Sequence, residues 1–276
     1  MAQLTGRFHD HVVDAPPIHL EEIDVRFNGT HALLDISGEF EPGRRIAIVG
    51  PNGAGKTTLL QVIAGTLEPD RGKVKIYGRH PHRHVCIAYV PQRSKADWNF
   101  PVNVSEVVMM GRIRKIGLFR WPTQKDWDFV RSSLEQVGMQ ALADRQIGEL
   151  SGGQQQRVFL AQALAQEAEV ILLDEPLNGL DLPSQEAILE ILDNLSRRGV
   201  TVLVTTHDLE LARARFDQIM LLNRRLIAFG KPEDVLIEAN LIDAYGGSMH
   251  FVDGEGGRVL LTDTCCEGDE EHSQHG

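Results

Sequence analysis

The most informative stretch of this chain is Leu150-Ser151-Gly152-Gly153-Gln154. Upstream of it, residues 50–58 read GPNGAGKTT, a glycine-rich loop of the G-x4-G-K-S/T type that binds phosphate groups. Downstream, residues 170–175 read VILLDE, an apolar run that ends in two carboxylates. A phosphate loop alone indicates only that a chain binds a nucleoside triphosphate, so the order of the three segments carries the functional information.

Composition places the chain among ordinary globular proteins. It has 276 residues, of which 42% are hydrophobic and 24% charged, and this suffices to bury a full core. No apolar run approaches the roughly 18 residues that span a bilayer, and residues 1–17 lack the pattern of a secretory signal. Three cysteines are too few for a disulfide framework. These features predict a cytoplasmic protein.

The charge balance bears on partners. Net charge is −11, from 28 basic and 39 acidic residues. Nucleic-acid binding needs clustered cations that displace counterions from phosphates, so we expect no nucleic-acid partner.

The chain is predicted to form an α/β fold with three parts. Residues 1–17 are expected to be a flexible N-terminal arm, residues 18–250 a single domain, and residues 251–276 a disordered acidic tail that contains cysteine and histidine. Short apolar strands alternate with helices in the core, which predicts a mostly parallel sheet. The predicted core comprises residues 18–92 and 161–250. Helical periodicity and all three tryptophans predict an inserted helical subdomain at residues 93–160.

The phosphate loop has the residues that binding of a nucleoside triphosphate requires. Glycines at positions 53 and 55 let backbone N–H groups close on phosphate oxygens, and the following helix adds positive potential at its N-terminus. Lys56 supplies a charge to the β- and γ-phosphates, and the Thr57 hydroxyl suits Mg²⁺. The predicted ATP contacts in this loop are Gly50, Pro51, Asn52, Gly53, Ala54, Gly55, Lys56, Thr57 and Thr58.

The two carboxylates after the apolar run suit different roles. Asp174 ends a strand, so its side chain is expected at the sheet edge where ligands bind in open α/β folds, and it suits Mg²⁺. Glu175 suits the general base that activates a water molecule. Taken in isolation, the pair also fits an ordinary acidic strand end.

Together, the three segments in this order resemble the ATP-binding cassette (ABC) ATPases, and the resemblance runs from about residue 18 to about residue 247. It implies an ABC-type P-loop ATPase core with a mostly parallel sheet, an antiparallel β subdomain and an inserted helical subdomain. It also implies ATP and Mg²⁺ as cofactors. In such proteins the segment with Ser151, Gly152, Gly153 and Gln154 contacts the γ-phosphate held by the other protomer, which implies a head-to-tail homodimer.

Further positions match the same family. The resemblance makes Gln92 a catalytic residue that senses Mg²⁺ and the attacking water, and His207 a catalytic contact of the γ-phosphate. Asp181 matches the loop that links the two ATP sites of a dimer. Phe27 lies where these proteins stack an aromatic ring on adenine.

A narrower resemblance concerns the transported solute. Residues 90–94, 97–102 and 107–112 resemble the ATPase subunits of manganese, zinc and iron importers, and residues 222–228 and 244–247 fit the same group. This implies a peripheral location at the cytoplasmic face of the membrane, with an integral membrane permease and an extracytoplasmic metal-binding protein as partners. The choice among the three metals stays open.

A basic cluster in the helical segment has two interpretations. Arg112, Arg114, Lys115 and Arg120 lie beside Phe119 and Trp121. In transporters this subdomain meets the permease, so the cluster suits direct contact; a solvated charged surface is the alternative.

Three other function classes remain as alternatives. An ABC ATPase for another small solute has the same motifs, and a soluble ABC ATPase acting on DNA or ribosomes typically has two cassettes or a long coiled coil. A non-enzymatic metal-binding protein is suggested by Cys265, Cys266, His272 and His275, and by His80, His82 and His84. Thiols and imidazoles suit Zn²⁺, although adjacent cysteines lack the spacing of ordered zinc sites.

Overall fold

The computed structural model describes residues 18–81, 87–92, 101–117, 120–246, 249–254 and 257–262. The strands are β1 (Ile18–Phe27), β2 (Thr30–Phe40), β3 (Arg45–Val49), β4 (Arg71–Lys75), β5 (Ile87–Val90), β6 (Val170–Asp174), β7 (Thr201–Thr206), β8 (Gln218–Asn223), β9 (Arg225–Gly230), β10 (Met249–Gly254) and β11 (Gly257–Thr262). The helices are α1 (Lys56–Ala64), α2 (Val104–Met110), α3 (Ile113–Ile116), α4 (Gln124–Gln136), α5 (Gly152–Ala165), α6 (Leu182–Arg197), α7 (Leu209–Arg215), α8 (Pro232–Val235) and α9 (Glu238–Tyr245).

The larger sheet has six strands in the order β5-β6-β7-β3-β8-β9. Every neighbouring pair is parallel except β8 and β9, which are antiparallel. Strands β6 and β7 are buried along their whole length, which explains their continuous runs of apolar residues and threonine. Alternate residues of β3 pack on opposite faces: Ala47 and Val49 lie in one core cluster, Ile46 and Ile48 in the other. The predicted mostly parallel sheet is confirmed.

A second sheet of three antiparallel strands, in the order β2-β1-β4, confirms the predicted antiparallel β subdomain. Its first two strands are joined by a tight turn at Asn28 and Gly29, which have φ angles of 49° and 80°. Two consecutive left-handed residues match the twist of paired strands, and the Asn-Gly sequence tolerates that conformation.

The helical part consists of α2 to α5, and its boundary with the core differs from the predicted position. Helix α5 runs from Gly152 to Ala165, so the predicted boundary at residue 160 falls inside a single helix. This helix packs on α2 and α4 on one side and contacts β5 and α6 on the other. A single helix, α5, therefore belongs to both the helical part and the core.

The C-terminal segment contains a hairpin in which Met249–Gly254 pairs with Gly257–Thr262. Part of the predicted 251–276 tail therefore has regular strand structure, because these strands satisfy each other's backbone hydrogen bonds. Residues 1–17 and 263–276, with the predicted arm and the four tail cysteine and histidine residues, lie outside the described residues, as do His82 and His84. The division into arm, domain and tail stays a prediction. No helix within the described ranges is long and apolar enough to cross a membrane.

The basic cluster predicted from sequence does not form one surface. Arg112 is only 5% exposed. Its guanidinium donates to Asp126 Oδ1 at 3.3 Å, to the Ala165 carbonyl at 2.9 Å and to Glu167 Oε2 at 2.7 Å. It also lies 4.1 Å from the centroid of the Phe129 ring, a cation–π distance. The buried side chain of Arg112, at the start of α3, therefore joins helix α4 to the end of α5 by hydrogen bonds.

Other members of that cluster have different environments. Lys115 pairs with Glu167, whereas Arg114 and Arg120 are exposed. Trp121 is 90% exposed, and Phe119 lies outside the described residues. An unpaired charge is costly in an apolar interior, and buried Arg112 accordingly has two carboxylates and a backbone carbonyl as partners.

We expect Arg112→Met to destabilise the fold by about 3 kcal/mol, because it leaves the Asp126 and Glu167 carboxylates without their buried guanidinium partner. The control is Arg131→Met, which removes an ion pair with Asp128 whose side chains are 61% and 59% exposed. Its loss should stay below about 1 kcal/mol. Urea unfolding of both variants measures the difference, and equal losses would contradict the internal role of Arg112.

Candidate functional site

The predicted site residues converge at one edge of the larger sheet. Four neighbouring strands, β5, β6, β7 and β3, are parallel, so their carboxyl ends lie together. Gln92 follows β5, Glu175 follows β6, His207 follows β7, and the phosphate loop at residues 50–55 follows β3. In open α/β sheets, ligands bind outside this edge.

The phosphate loop is tightly held at two of its glycines. A Cβ atom at Gly50 would lie 1.9 Å from the Leu222 carbonyl oxygen, and one at Gly55 would lie 2.4 Å from the Ala32 carbonyl oxygen. Gly53 and Gly55 have φ angles of 77° and 94°, which L side chains rarely adopt. A Cβ at Gly53 would meet nothing within 4 Å, so the loop is open on that side. The first turn of α1 carries no acidic residue, which keeps its N-terminus favourable for an anion.

The turn between β8 and β9 is hydrogen-bonded to the phosphate loop, a contact that the sequence did not predict. The Arg224 N–H donates to the Ala54 carbonyl at 2.8 Å, and the Arg224 carbonyl accepts from the Leu34 N–H at 2.7 Å. Arg224 has a φ of 58°, a left-handed conformation, and its two backbone groups join the loop to β2. Only backbone atoms take part in these bonds, so the residue type gives no sequence signal.

Lys56 is enclosed by the loop that precedes it. The side chain is 7% exposed, and its Nζ donates to the Gly50 carbonyl at 2.7 Å and to the Pro51 carbonyl at 3.0 Å. Burial lowers the pKa of Lys56, while the nearby carboxylates of Glu175 and Asp174 oppose that shift. The ammonium thus lies inside the loop, where a phosphate can share its charge.

Asp174 is buried and partly satisfied. Its Oδ1 accepts the Thr57 hydroxyl at 3.1 Å and the Thr205 hydroxyl at 2.7 Å. Its Oδ2 is buried and has no hydrogen-bond partner among the described residues. An unpaired buried carboxylate oxygen beside a threonine hydroxyl is an all-oxygen donor set that fits a hard cation such as Mg²⁺. The residues predicted to hold Mg²⁺ at the edge of the sheet, Thr57 and Asp174, are therefore in contact.

Gln92 contacts the predicted general base. Its Nε2 donates to Glu175 Oε2 at 2.9 Å, and Asn178 Nδ2 donates to the same oxygen at 3.3 Å. The described contact of the Gln92 amide is therefore with Glu175, and its Mg²⁺ contact stays a prediction. Glu175 has a φ of 47°, a left-handed conformation that is strained for a residue with a side chain.

A cavity of about 100 Å³ lies beside the base. Glu175, Asn178, Gly179 and His207 are among the residues that line it. His207 and Asp181 are both exposed, and Asp181 is the N-cap of α6. Their predicted contacts with ATP involve atoms of a nucleotide or a second protomer, so these roles stay predictions.

The 151–154 segment forms a capping box at the start of α5. The Ser151 hydroxyl accepts the Gln154 N–H at 3.4 Å, and the Gln154 side-chain oxygen accepts the Ser151 N–H at 2.9 Å. A Cβ at Gly153 would lie 2.4 Å from the Ser184 Oγ, so this glycine permits close packing on α6. Within the described part of the chain, no hydrogen bond joins this capping box to the phosphate loop.

Phe27 lies at the end of β1 and is 50% exposed. An exposed aromatic ring next to a tight turn has a free face for stacking on a base. The predicted adenine contact of Phe27 stays a prediction.

Sequence reasoning also missed Thr205. This residue pairs with Asp174 in the parallel register of β6 and β7, and its hydroxyl contacts both acidic residues of the site. A threonine near the end of a buried strand was a weak signal, because the sequence alone does not show which strand lies next to it.

Comparison with known proteins agrees with this geometry. Residues 33–178 match the family model described as ABC transporter. The chain therefore belongs to the ABC transporter family. The fold and the site define it as a nucleotide-binding cassette with the phosphate loop, the capping box and the acidic strand end on one chain.

Relatives in the family are ATP-binding proteins of metal transport systems. The manganese transport system ATP-binding protein MntB of Bacillus subtilis is 44% identical over 86% of this chain and 95% of its own length. The zinc transport system ATP-binding protein TroB of Treponema pallidum is 42% identical over 84% of this chain and 88% of its own. A solved ATP-binding cassette of an ABC transporter in its ADP conformation has a TM-score of 0.74 at 26% identity, over 84% of this chain and 99% of that one. The predicted ABC fold is confirmed.

We expect Lys56→Ala to weaken ATP binding roughly 10- to 100-fold, because it removes a charged hydrogen-bond donor enclosed by the loop. The matched control is Lys231→Ala at an exposed lysine, which should leave affinity unchanged. Isothermal titration of the two variants with ATP gives the affinities. Equal affinities in both variants would refute the role of Lys56.

Proposed function

We propose that this chain is the ATP-hydrolysing subunit of an ABC importer for a transition metal, either manganese, zinc or iron. The observation that carries the ATPase is the contact of Gln92 with Glu175 beside the Thr57 and Asp174 pair, at the edge of the sheet that holds the phosphate loop. The metal assignment is supported by relatives, which are named as manganese, zinc and chelated iron transport proteins.

ATP binds with its phosphates in the loop at residues 50–58. Lys56 supplies positive charge, and the backbone N–H groups around Gly53 and Gly55 surround the phosphate oxygens. Thr57 and Asp174 would hold Mg²⁺, which when bound would neutralise negative charge that develops on the phosphates during phosphoryl transfer. Phe27 stacks on the adenine.

Glu175 acts as the general base for the attacking water. Amides of Gln92 and Asn178 both donate to its Oε2, so Oε1 is the oxygen that accepts the proton. The left-handed backbone at Glu175 turns the side chain away from the course of the strand and toward the cavity that it lines. Gln92, at the end of β5, thus links the base to the helical part that follows it.

Two copies of the chain complete the sites. Ser151, the N-cap of α5, is exposed, and the first N–H groups of the helix lie next to it. These groups suit the γ-phosphate of ATP bound by the second copy, with Asp181 at the contact. Each homodimer then holds two ATP molecules, one in each shared site.

Coupling to transport follows from the position of the helical part. The subunit is peripheral, at the cytoplasmic face of the membrane, and its helical part contacts an integral membrane permease. The permease and an extracytoplasmic metal-binding protein select the metal.

We expect Glu175→Gln to keep ATP binding and to lose turnover by about 10²- to 10⁴-fold, because the amide cannot accept the proton of the water. The control Glu190→Gln changes an exposed carboxylate of α6 and should leave turnover unchanged. Phosphate release measures turnover. A Glu175→Gln protein with wild-type turnover would exclude Glu175 as the base.

Nucleotide should drive dimerisation of the Glu175→Gln variant, since ATP that is not hydrolysed holds the two copies together. With Mg²⁺ and ATP we expect a dimer on size-exclusion chromatography. Adding Ser151→Arg should return it to a monomer, because the bulky side chain blocks the γ-phosphate contact. Adding Gln140→Arg instead, at an exposed position of the helical part, should keep the dimer. A dimer that survives Ser151→Arg contradicts the shared site.

The transport assignment is tested by uptake in a deletion strain. We expect uptake of manganese, zinc or iron to fall, and to recover with the wild-type chain but not with Glu175→Gln. A multi-spanning membrane protein should co-purify with the chain from detergent extracts. Loss of uptake of an unrelated solute, with normal metal uptake, identifies a different ABC importer. Turnover without any membrane partner identifies a soluble ABC ATPase.

A further inference from the structure

One buried hydroxyl connects the two acidic residues of the site. Thr205, in β7, is fully buried and lies opposite Asp174 of β6 in the parallel register. Its Oγ1 donates to Asp174 Oδ1 at 2.7 Å and accepts the Glu175 N–H at 2.8 Å. The hydroxyl has one proton to donate, and that proton is used on Asp174.

This arrangement fixes the direction of the Asp174 carboxylate. Oδ1 receives two hydroxyl donors, from Thr57 and Thr205, while Oδ2 is buried without a partner among the described residues. A carboxylate held by one oxygen cannot rotate freely, so the other oxygen keeps a defined position. Threonine is well suited to this role, because its β-branched side chain has few rotamers in a strand.

The same hydroxyl holds the backbone that carries the base. The Glu175 N–H points at Thr205 Oγ1, and the Glu175 φ of 47° places this residue in the left-handed region. Strained backbone conformations persist only where surrounding contacts determine them, and this hydrogen bond is such a contact. The direction of the Glu175 side chain therefore depends on a residue that is itself remote from the phosphate loop in sequence.

We propose that Thr205 is a positioning residue for ATP hydrolysis, which sets the Asp174 carboxylate against the Thr57 hydroxyl and holds the turn that aims Glu175. It acts through these residues and does not itself touch the nucleotide. The proposal rests on the proposed ATPase function and is independent of the transported solute.

The chain offers a matched control in the same strand. Thr201, at the other end of β7, is also fully buried, and its Oγ1 accepts one backbone N–H, that of Gly43, at 3.0 Å. Both threonines therefore support the fold through a buried hydroxyl. Only Thr205 contacts the acidic residues of the site, so the two positions separate a structural role from a positioning role.

The experiment compares Thr205→Val, Thr205→Ser and Thr201→Val in the full chain. Valine keeps the shape of threonine and lacks the hydroxyl, whereas serine keeps the hydroxyl. Phosphate release gives kcat, the KM for ATP and the Mg²⁺ concentration for half-maximal rate. A second readout that needs no turnover is the rise in Tm caused by ATP alone and by ATP with Mg²⁺.

We expect Thr205→Val to lower kcat and to raise the Mg²⁺ concentration for half-maximal rate, each by about 10- to 100-fold. This is the usual effect of losing a residue that orients a metal ligand. The stabilisation by ATP alone should match wild type, and the extra stabilisation by Mg²⁺ should shrink. Thr205→Ser should restore kcat to within about threefold of wild type. Without nucleotide, Thr201→Val should lower Tm about as much as Thr205→Val does, while its kcat, KM and Mg²⁺ dependence stay at wild-type values.

Three results would overturn the proposal: wild-type kcat and Mg²⁺ dependence in Thr205→Val, equal kinetic losses in Thr201→Val, or no recovery in Thr205→Ser. If Thr205→Val does not fold, Thr205→Ala carries the same comparison. If the wild type shows no turnover, the proposed ATPase fails, and the Mg²⁺-dependent change in Tm still tests the role of Thr205.

Discussion

The parallel register of β6, β7 and β3 is the constraint on which the site depends. It places the ends of three buried strands side by side, so that Asp174 lies opposite Thr205 and the phosphate loop begins next to them. Because successive side chains of a strand point to opposite faces, a shift of one residue in either β6 or β7 would turn its side chain at this position away from the site. The hydrogen bonds among Thr57, Asp174 and Thr205 are possible only in this register.

Burial sets the electrostatics of the same site. Lys56 and Asp174 are 7% and 2% exposed, and each is held by hydrogen bonds from within the protein. Charges in such surroundings interact more strongly than in water, and their dipolar neighbours are already oriented before a ligand binds. The depressed pKa of Lys56 reflects the cost of this burial, which neighbouring carboxylates partly offset.

The helical part is tied to the core by a different kind of contact. Arg112 joins α3, α4 and the end of α5 through buried ion pairs, and α5 begins with the capping box at Ser151. Since α5 also packs on β5 and α6, any movement of the helical part must move or bend this helix. The Gln92 contact with Glu175 provides a second link between the end of β5 and the base.

The local chemistry can be read from the sequence: the phosphate loop, the 151–154 segment and the acidic end of β6 are runs of consecutive residues whose types dictate backbone conformation and charge. It also predicted the sheet and the inserted helices, because hydrophobic periodicity is a local property. The contacts between residues distant in sequence depend on the three-dimensional fold. The register of β6 and β7 places Thr205 in the site. Arg112 is buried, apart from the exposed members of the basic cluster, because it pairs with the carboxylates of Asp126 and Glu167. Packing between segments remote in sequence fixes such contacts, and no single segment encodes them.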